Sequence, residues 1–137
     1  AENDPAYATT TVTRRIRDLA ISREVKAMYD HRCQICNVHI PGIGERRYSE
    51  GAHVKPLGRP HLGSDTMDNL LSLCPNHHTQ LDLGGLFIQD DFTVTITPAS
   101  KPIGEVAFVH DHSIHLSNLS YHRAHWASRA PVTLVRD

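Results

Sequence analysis

Apolar residues recur at mixed spacings of three and four between Thr11 and about Asp30, where Ile16, Leu19, Ala20, Val25, Met28 and Tyr29 alternate with charged positions. That period predicts one broken helix or two short ones, with Thr13 and Ser22 as N-caps. Cys33-Gln-Ile-Cys36-Asn37 then reads as a knuckle-like turn, and the proline and two glycines of Val38 to Gly44 mark a loop. Tyr48 to Leu57 is an extended run halted by Pro56, and 58–68 (GRPHLGSDTMD) has the composition of an exposed loop. Asn69 to Cys74 (NLLSLC) predicts a short buried strand. Pro75 suits the first position of a helix running to about Leu83, which Gly84 and Gly85 would close through a left-handed residue. Further on, Leu86 to Ile88 and Phe92 to Thr97 flank Gln89-Asp90-Asp91 as a hairpin, and Val106 to Val109 with Ile114 to Leu116 predict another. Tyr121 to Trp126 predicts a final helical turn or two, and the segment after Pro131 a fraying terminus.

At 137 residues and 39% hydrophobic content, the chain fits one ordinary domain. No apolar run approaches the roughly 20 residues of a membrane span, and AENDPAYATTT has neither a basic nor an apolar leader region. A soluble, unexported protein without a membrane partner is therefore expected, and a chain beginning at Ala1 is expected to be a piece of a longer one. The net charge of -1 excludes a uniformly basic coat, yet the distribution is uneven. Residues 1–60 hold ten Lys or Arg against seven Asp or Glu, whereas 61–137 hold four against eight. The front half is thus the expected polyanion face, although such clusters equally often only solvate a surface.

Three cysteines cannot all pair with one another. Cys33-x2-Cys36 with Cys74-Pro-Asn-His77 has the form of a four-ligand zinc site, which would close a loop of 37 intervening residues. The bland alternative, small buried thiols, does not explain two tight x2 pairs. Adjacent helical residues point about 100° apart, so ligation by His77 frees His78. His78 and Asp82, four apart, share a helix face and suit Mg²⁺, Mn²⁺, Co²⁺ or Ni²⁺ better than a closed thiolate site does. Taken alone, such a pair is more often merely solvated.

Taken in order, Cys33-x2-Cys36, Ala52-His53-Val54-x-Pro56, Asp68-Asn69-Leu70 and Leu73-Cys74-x2-His77-His78 resemble the HNH domain of McrA-type restriction endonucleases. These enzymes cut modified DNA and are often fused to a base-flipping SRA reader. The likeness spans about Thr13 to Ile88, with a weaker echo at Tyr121-His122-Arg123. It implies an α+β, ββα-metal (His-Me finger) fold carrying a structural zinc, with an N-terminal helical arm (1–32), a core (33–88) and C-terminal hairpins and tail (89–137). It also implies that His53 is the general base, that Asn69 orients the loop carrying it, and that His78 binds the catalytic cation. Where HNH sites commonly place an aspartate or histidine ligand immediately before the base, this chain has Ala52, so Asp82 is the expected second ligand and Glu50 the weaker candidate. Duplex DNA is the implied substrate, met by Arg14, Arg15, Lys55 and Arg59 through phosphate contacts. A homodimer, a separate modification-reading domain and a bacterial cytoplasmic location are further expectations. Two other readings remain: a zinc-stabilised DNA-binding module without catalysis, and a nonspecific, toxin-like nuclease on the same scaffold.

Overall fold

A computed structural model describes residues 20–129. Within them run helix α1 (20–28), strands β1 (Ile40–Pro41), β2 (Arg47–Tyr48) and β3 (Glu50–His53), a single 3-10 turn (Met67–Asn69), β4 (Leu70–Leu73) and helix α2 (Pro75–Asp82). Strands β5 (Phe87–Ile88), β6 (Thr93–Thr95) and β7 (Gly104–Glu105) and helix α3 (Leu116–Ala127) follow. The centre is the antiparallel β3–β4 ladder, in register Glu50↔Leu73 and His53↔Leu70, followed directly by α2. This is the expected ββα unit. Around it lie the small β1–β2 hairpin and the β5-β6-β7 sheet.

Alternation along β3 and β4 decides what each face meets. Ala52, Leu71 and Leu73 join Leu81 of α2 and Leu86, Ile88, Val94 and Leu119 in one buried cluster. The opposite face of β3 carries Gly51, where a Cβ would overlap the Ser22 side chain of α1, so glycine lets the helix approach. Gln34 closes β4's free edge: its backbone N–H donates to the Ser72 carbonyl, and its side chain accepts from the Ser72 N–H, both at 2.8 Å. No buried side-chain polar atom among the described residues lacks a partner. None of the described helices is long and apolar enough to cross a membrane.

Several expectations need correction. Ser22 lies inside α1 rather than capping it, while Thr13, with Arg14 and Arg15, lies outside the described residues, as does the segment after Pro131. The loop expected over Val38 to Gly44 contains β1, and the extended run from Tyr48 stops as a strand at His53 instead of reaching Leu57. The second hairpin does not form. β7 pairs with β6, and residues 106–115 are irregular, with Val106 and Ile114 buried as isolated anchors. The backbone of this segment bonds elsewhere: the Val106 N–H donates to the Phe92 carbonyl, the Ala107 N–H to the Gln34 carbonyl and the Val109 N–H to the Tyr29 hydroxyl. Apolar spacing alone cannot separate such anchors from a strand. The final helix is twelve residues long and starts at Leu116, capped by His115, whose side chain accepts from the Ser117 N–H at 3.2 Å. Histidine is not among the usual capping residues, so the start carried no signal.

Helix α2 ends as its glycines predict. Gly84 has φ +71°, and a Cβ there would collide with the Trp126 indole of α3. Gly84→Ala therefore combines left-handed strain with overpacking and should cost at least about 2 kcal/mol. Urea unfolding would read this as a lower midpoint at constant slope, and an unchanged midpoint would mean that α3 does not press on this turn.

Candidate active site and metal centres

Cys33 and Cys36 sit on the turn after α1, and Cys74 and His77 on the first turn of α2. Cys74 is also the α2 N-cap, and its carbonyl accepts the first helical bond from the His78 N–H at 2.9 Å. One ligand atom from each of the four lies within 4.8 Å of the others. The separations are 3.9 Å for Cys36 Sγ to Cys74 Sγ, 3.5 Å for Cys33 Sγ to His77 Nδ1 and 3.4 Å for Cys74 Sγ to His77 Nδ1. A tetrahedron built on Zn–S and Zn–N bonds of about 2.3 and 2.1 Å has edges of roughly 3.4–3.8 Å, so the group could hold zinc. Burial also keeps the His77 imidazole below its ordinary pKa, hence neutral and able to donate a lone pair. The Cys36 thiol is pushed up to about 12, first by burial and then by its neighbouring cysteines. A cation that binds such a thiol as thiolate displaces its proton.

The second cluster forms where β3 passes α2. His78 Nδ1 lies 2.8 Å from Glu50 Oε1, and His78 Nε2 lies 3.2 Å from Asp82 Oδ2. Both sequence candidates for a second ligand thus touch the same imidazole, from opposite ends of the ring. The three do not converge as a closed set: among the described residues only the cysteine-histidine group brings three or more such ligand atoms within 4.8 Å of one another. An ion here would take His78 with one of the carboxylates, leaving remaining positions to water and substrate, as suits Mg²⁺-like cations. Alternation explains Glu50. It stands two residues before Ala52 on the face turned to α2, so its carboxylate reaches His78 from one pleat before position 52.

These carboxylates hold the His78 pKa up to about 8; the Asp82 hydrogen bond is the largest cause, burial opposes it, and Glu50 adds to it. Burial alone would raise Glu50, but hydrogen bonds from Tyr48 and His78 bring it below the usual carboxylate value. A raised histidine pKa means that the bound proton stabilises the fold fully below the unfolded value of about 6.5. That contribution disappears as pH rises through about 8. Without added divalent cation, melting temperature should therefore fall between about pH 6.5 and pH 8 by more in the wild type than in His78→Gln. Parallel melting curves for the two proteins would contradict the pairing.

His53 ends β3 on the Gly51 face, and no hydrogen bond among the described residues joins it to the His78 cluster. Its Nε2 lies 2.9 Å from Oδ1 of Asp65, an aspartate that belongs to none of the sequence motifs. Asn69, fully buried, uses its side chain on backbone alone. It accepts from the Lys55 N–H and donates to the Lys55 and Ser64 carbonyls, each at 2.8 Å. The chain leaving His53 and the chain entering Asp65 are thus fastened to one amide. Lys55 carries its ammonium over the Tyr121 ring at 4.5 Å, and Arg59 is exposed on the same loop. Neither Asp65 nor the Lys55–Tyr121 contact had a signal in the spacing, because a loop residue twelve positions away and a helix residue sixty-six positions away reach these groups only through the fold.

Residues 33–89 match the family model for HNH endonuclease. Among solved structures, the modification-dependent TagI restriction endonuclease superposes with a TM-score of 0.72 at 40% sequence identity. The match covers 77% of this chain and 37% of that one, so the chain spans little more than a third of the length of that enzyme. No curated protein matches the chain.

Proposed function

The chain carries an HNH endonuclease domain, related to that of a modification-dependent restriction enzyme, and from this premise we propose that it hydrolyses DNA phosphodiester bonds with His53 as general base and a divalent cation bound at His78. The supporting observation is the separation of two imidazole environments. His78 is held between Glu50 and Asp82, whereas His53 stands apart from them with Asp65 as its partner. That difference supports giving one ring the ligand role and the other the proton transfer.

His53 takes a proton from the attacking water, and Asn69 keeps the segment after His53 in place through its three backbone bonds. His78 with Asp82 or Glu50 holds the cation, which when bound supplies charge neutralisation at the scissile phosphate and help for the leaving oxygen. Mg²⁺, Mn²⁺, Co²⁺ and Ni²⁺ all suit this donor set. Zn²⁺ at Cys33, Cys36, Cys74 and His77 fastens the knuckle to α2 and takes no part in the chemistry. Lys55 and Arg59 place the duplex through phosphates, together with Arg14 and Arg15 of the N-terminal arm. Modification reading belongs to another domain of a longer protein, in which 1–137 is the cleavage module, and paired cuts in duplex DNA come from two copies.

The test is cleavage of modified and unmodified supercoiled plasmid with and without added Mn²⁺ or Mg²⁺, beside the His53→Ala protein. Cation-dependent nicking lost in the variant supports the reading. Duplex binding without nicking in either protein would instead make the chain a zinc-held binding module, and rapid, equal cutting of both plasmids a nonspecific nuclease.

A further inference from the structure

We propose that Asp65 is the positioning residue of the His53 base: it holds Nε2 and so assigns Nδ1 as the atom that accepts the proton of the attacking water. The proposal rests on the endonuclease reading above and adds which nitrogen reacts and what orients it.

An ionised carboxylate only accepts hydrogen bonds, and a neutral imidazole carries one N–H and one lone pair. With Asp65 Oδ1 at 2.9 Å from Nε2, the N–H lies on Nε2 and the lone pair on Nδ1. A base fixed in one tautomer spends no time with its proton on the wrong nitrogen, and its ring cannot flip without breaking the bond. Both side chains are mostly shielded, 18% and 23% exposed, so water competes weakly for this contact.

The loop around Asp65 is built to keep that geometry. Asn69 binds the Lys55 backbone on one side and the Ser64 carbonyl on the other, which locks the register between the residues after His53 and the residue before Asp65. The Gly63 N–H donates to the Pro56 carbonyl at 2.8 Å, and a Cβ at Gly63 would overlap the Lys55 carbonyl. Glycine is therefore what lets the loop close on the segment leaving β3. Asn69 thereby acts on the base from both directions at once. A role for Asp65 as a metal ligand is disfavoured because no third His, Cys, Asp or Glu ligand atom among the described residues joins this pair.

The experiment uses the whole chain with zinc bound. In the wild type, ¹⁵N spectra of the histidine rings, with His53 assigned by loss of its signals in His53→Ala, should show the Nε2–H form; an Nδ1–H form overturns the proposal without any change at Asp65. In Asp65→Asn, Mn²⁺-supported nicking should fall at least about tenfold in kcat, with KM for DNA within about twofold and Mn²⁺ affinity unchanged. The His53 signals should also lose their single-tautomer pattern, while Asp65→Glu retains it in part. An unchanged kcat overturns the proposal, and so does weakened Mn²⁺ binding, which would make Asp65 a ligand. Cleavage that survives in His53→Ala would instead remove His53 as the base, a result separate from the tautomer measurement.

Discussion

Replacing His53 with alanine should lower DNA cleavage by about 10²- to 10⁴-fold while leaving the fold, the zinc content and duplex binding as they are. In barrier terms this is about 3–5 kcal/mol, the usual worth of a placed general base. The fold should tolerate the change because His53 is the last residue of β3 and, among the described residues, its side chain hydrogen-bonds to Asp65 alone. The hydrophobic cluster is formed by Ala52 and Val54 on either side, not by the imidazole. Zinc content should be independent because His53 is not in the Cys33, Cys36, Cys74 and His77 group and no hydrogen bond among the described residues joins it to them. Plasmid nicking, gel-shift binding and metal analysis on the same preparation check all three. Equal nicking by wild type and variant would show that another group activates water.

The largest effect on stability should come from the thiolate site. Extracting its metal, or replacing Cys74 with serine, is expected to abolish cooperative folding of the domain. A structural zinc contributes about 10–16 kcal/mol in small metal-held modules, as much as the whole net stability of an ordinary domain. Here the ligands join the turn after α1 to the first turn of α2 across 37 intervening residues that include β1, β2, β3 and β4. Cys33 and Cys74 are themselves buried in the hydrophobic cluster, and Cys74 begins α2. Losing the ion would leave three sulfurs crowded against a desolvated imidazole, and the start of the helix that presents His78 would lose its anchor. Near-ultraviolet circular dichroism and melting after treatment with a strong chelator provide the measurement. A chelated protein, shown to be zinc-free, that melts within a few degrees of the untreated one would refute the structural role.

The two variants also separate scaffold from chemistry. His53→Ala should melt normally and fail to cut, whereas Cys74→Ser should fail at both. Their comparison distinguishes a catalytic domain from a zinc-held binding module, in which His53 would have no consequence for any reaction.

Local pattern was enough wherever the relevant groups lie within one turn of each other. Pro75 and Gly84 mark the two ends of α2, and the spacing of four puts His78 and Asp82 on one side of it, where the structure has them 3.2 Å apart. The two x2 pairs specified the four atoms that now sit within 4.8 Å. The strand after Asn69 formed where its apolar run indicated. The same kind of reading failed over 106–115, because buried Val106 and Ile114 have apolar spacing without belonging to a strand, and between them the Ala107 and Val109 N–H groups are taken by Gln34 and Tyr29 from distant parts of the chain.

By itself, then, the amino-acid order determined the donor types, the helix that carries His78 and the strand, loop, strand, helix order around it, since each follows from dihedral preference, side-chain period or ligand chemistry over a few residues, whereas the ββα class came from the family resemblance. Only the folded chain decided that Glu50 faces His78, that Asp65 rather than a nearer residue meets His53, and that Asn69 ties both segments together. Those contacts span 28, 12 and 14 residues, and they depend on the β3–β4 register and on a loop returning over the strand it left. A one-residue slip in that register would turn Glu50 and His53 to the other face, away from His78 and Asp65, and no local preference measures the energy that prevents it.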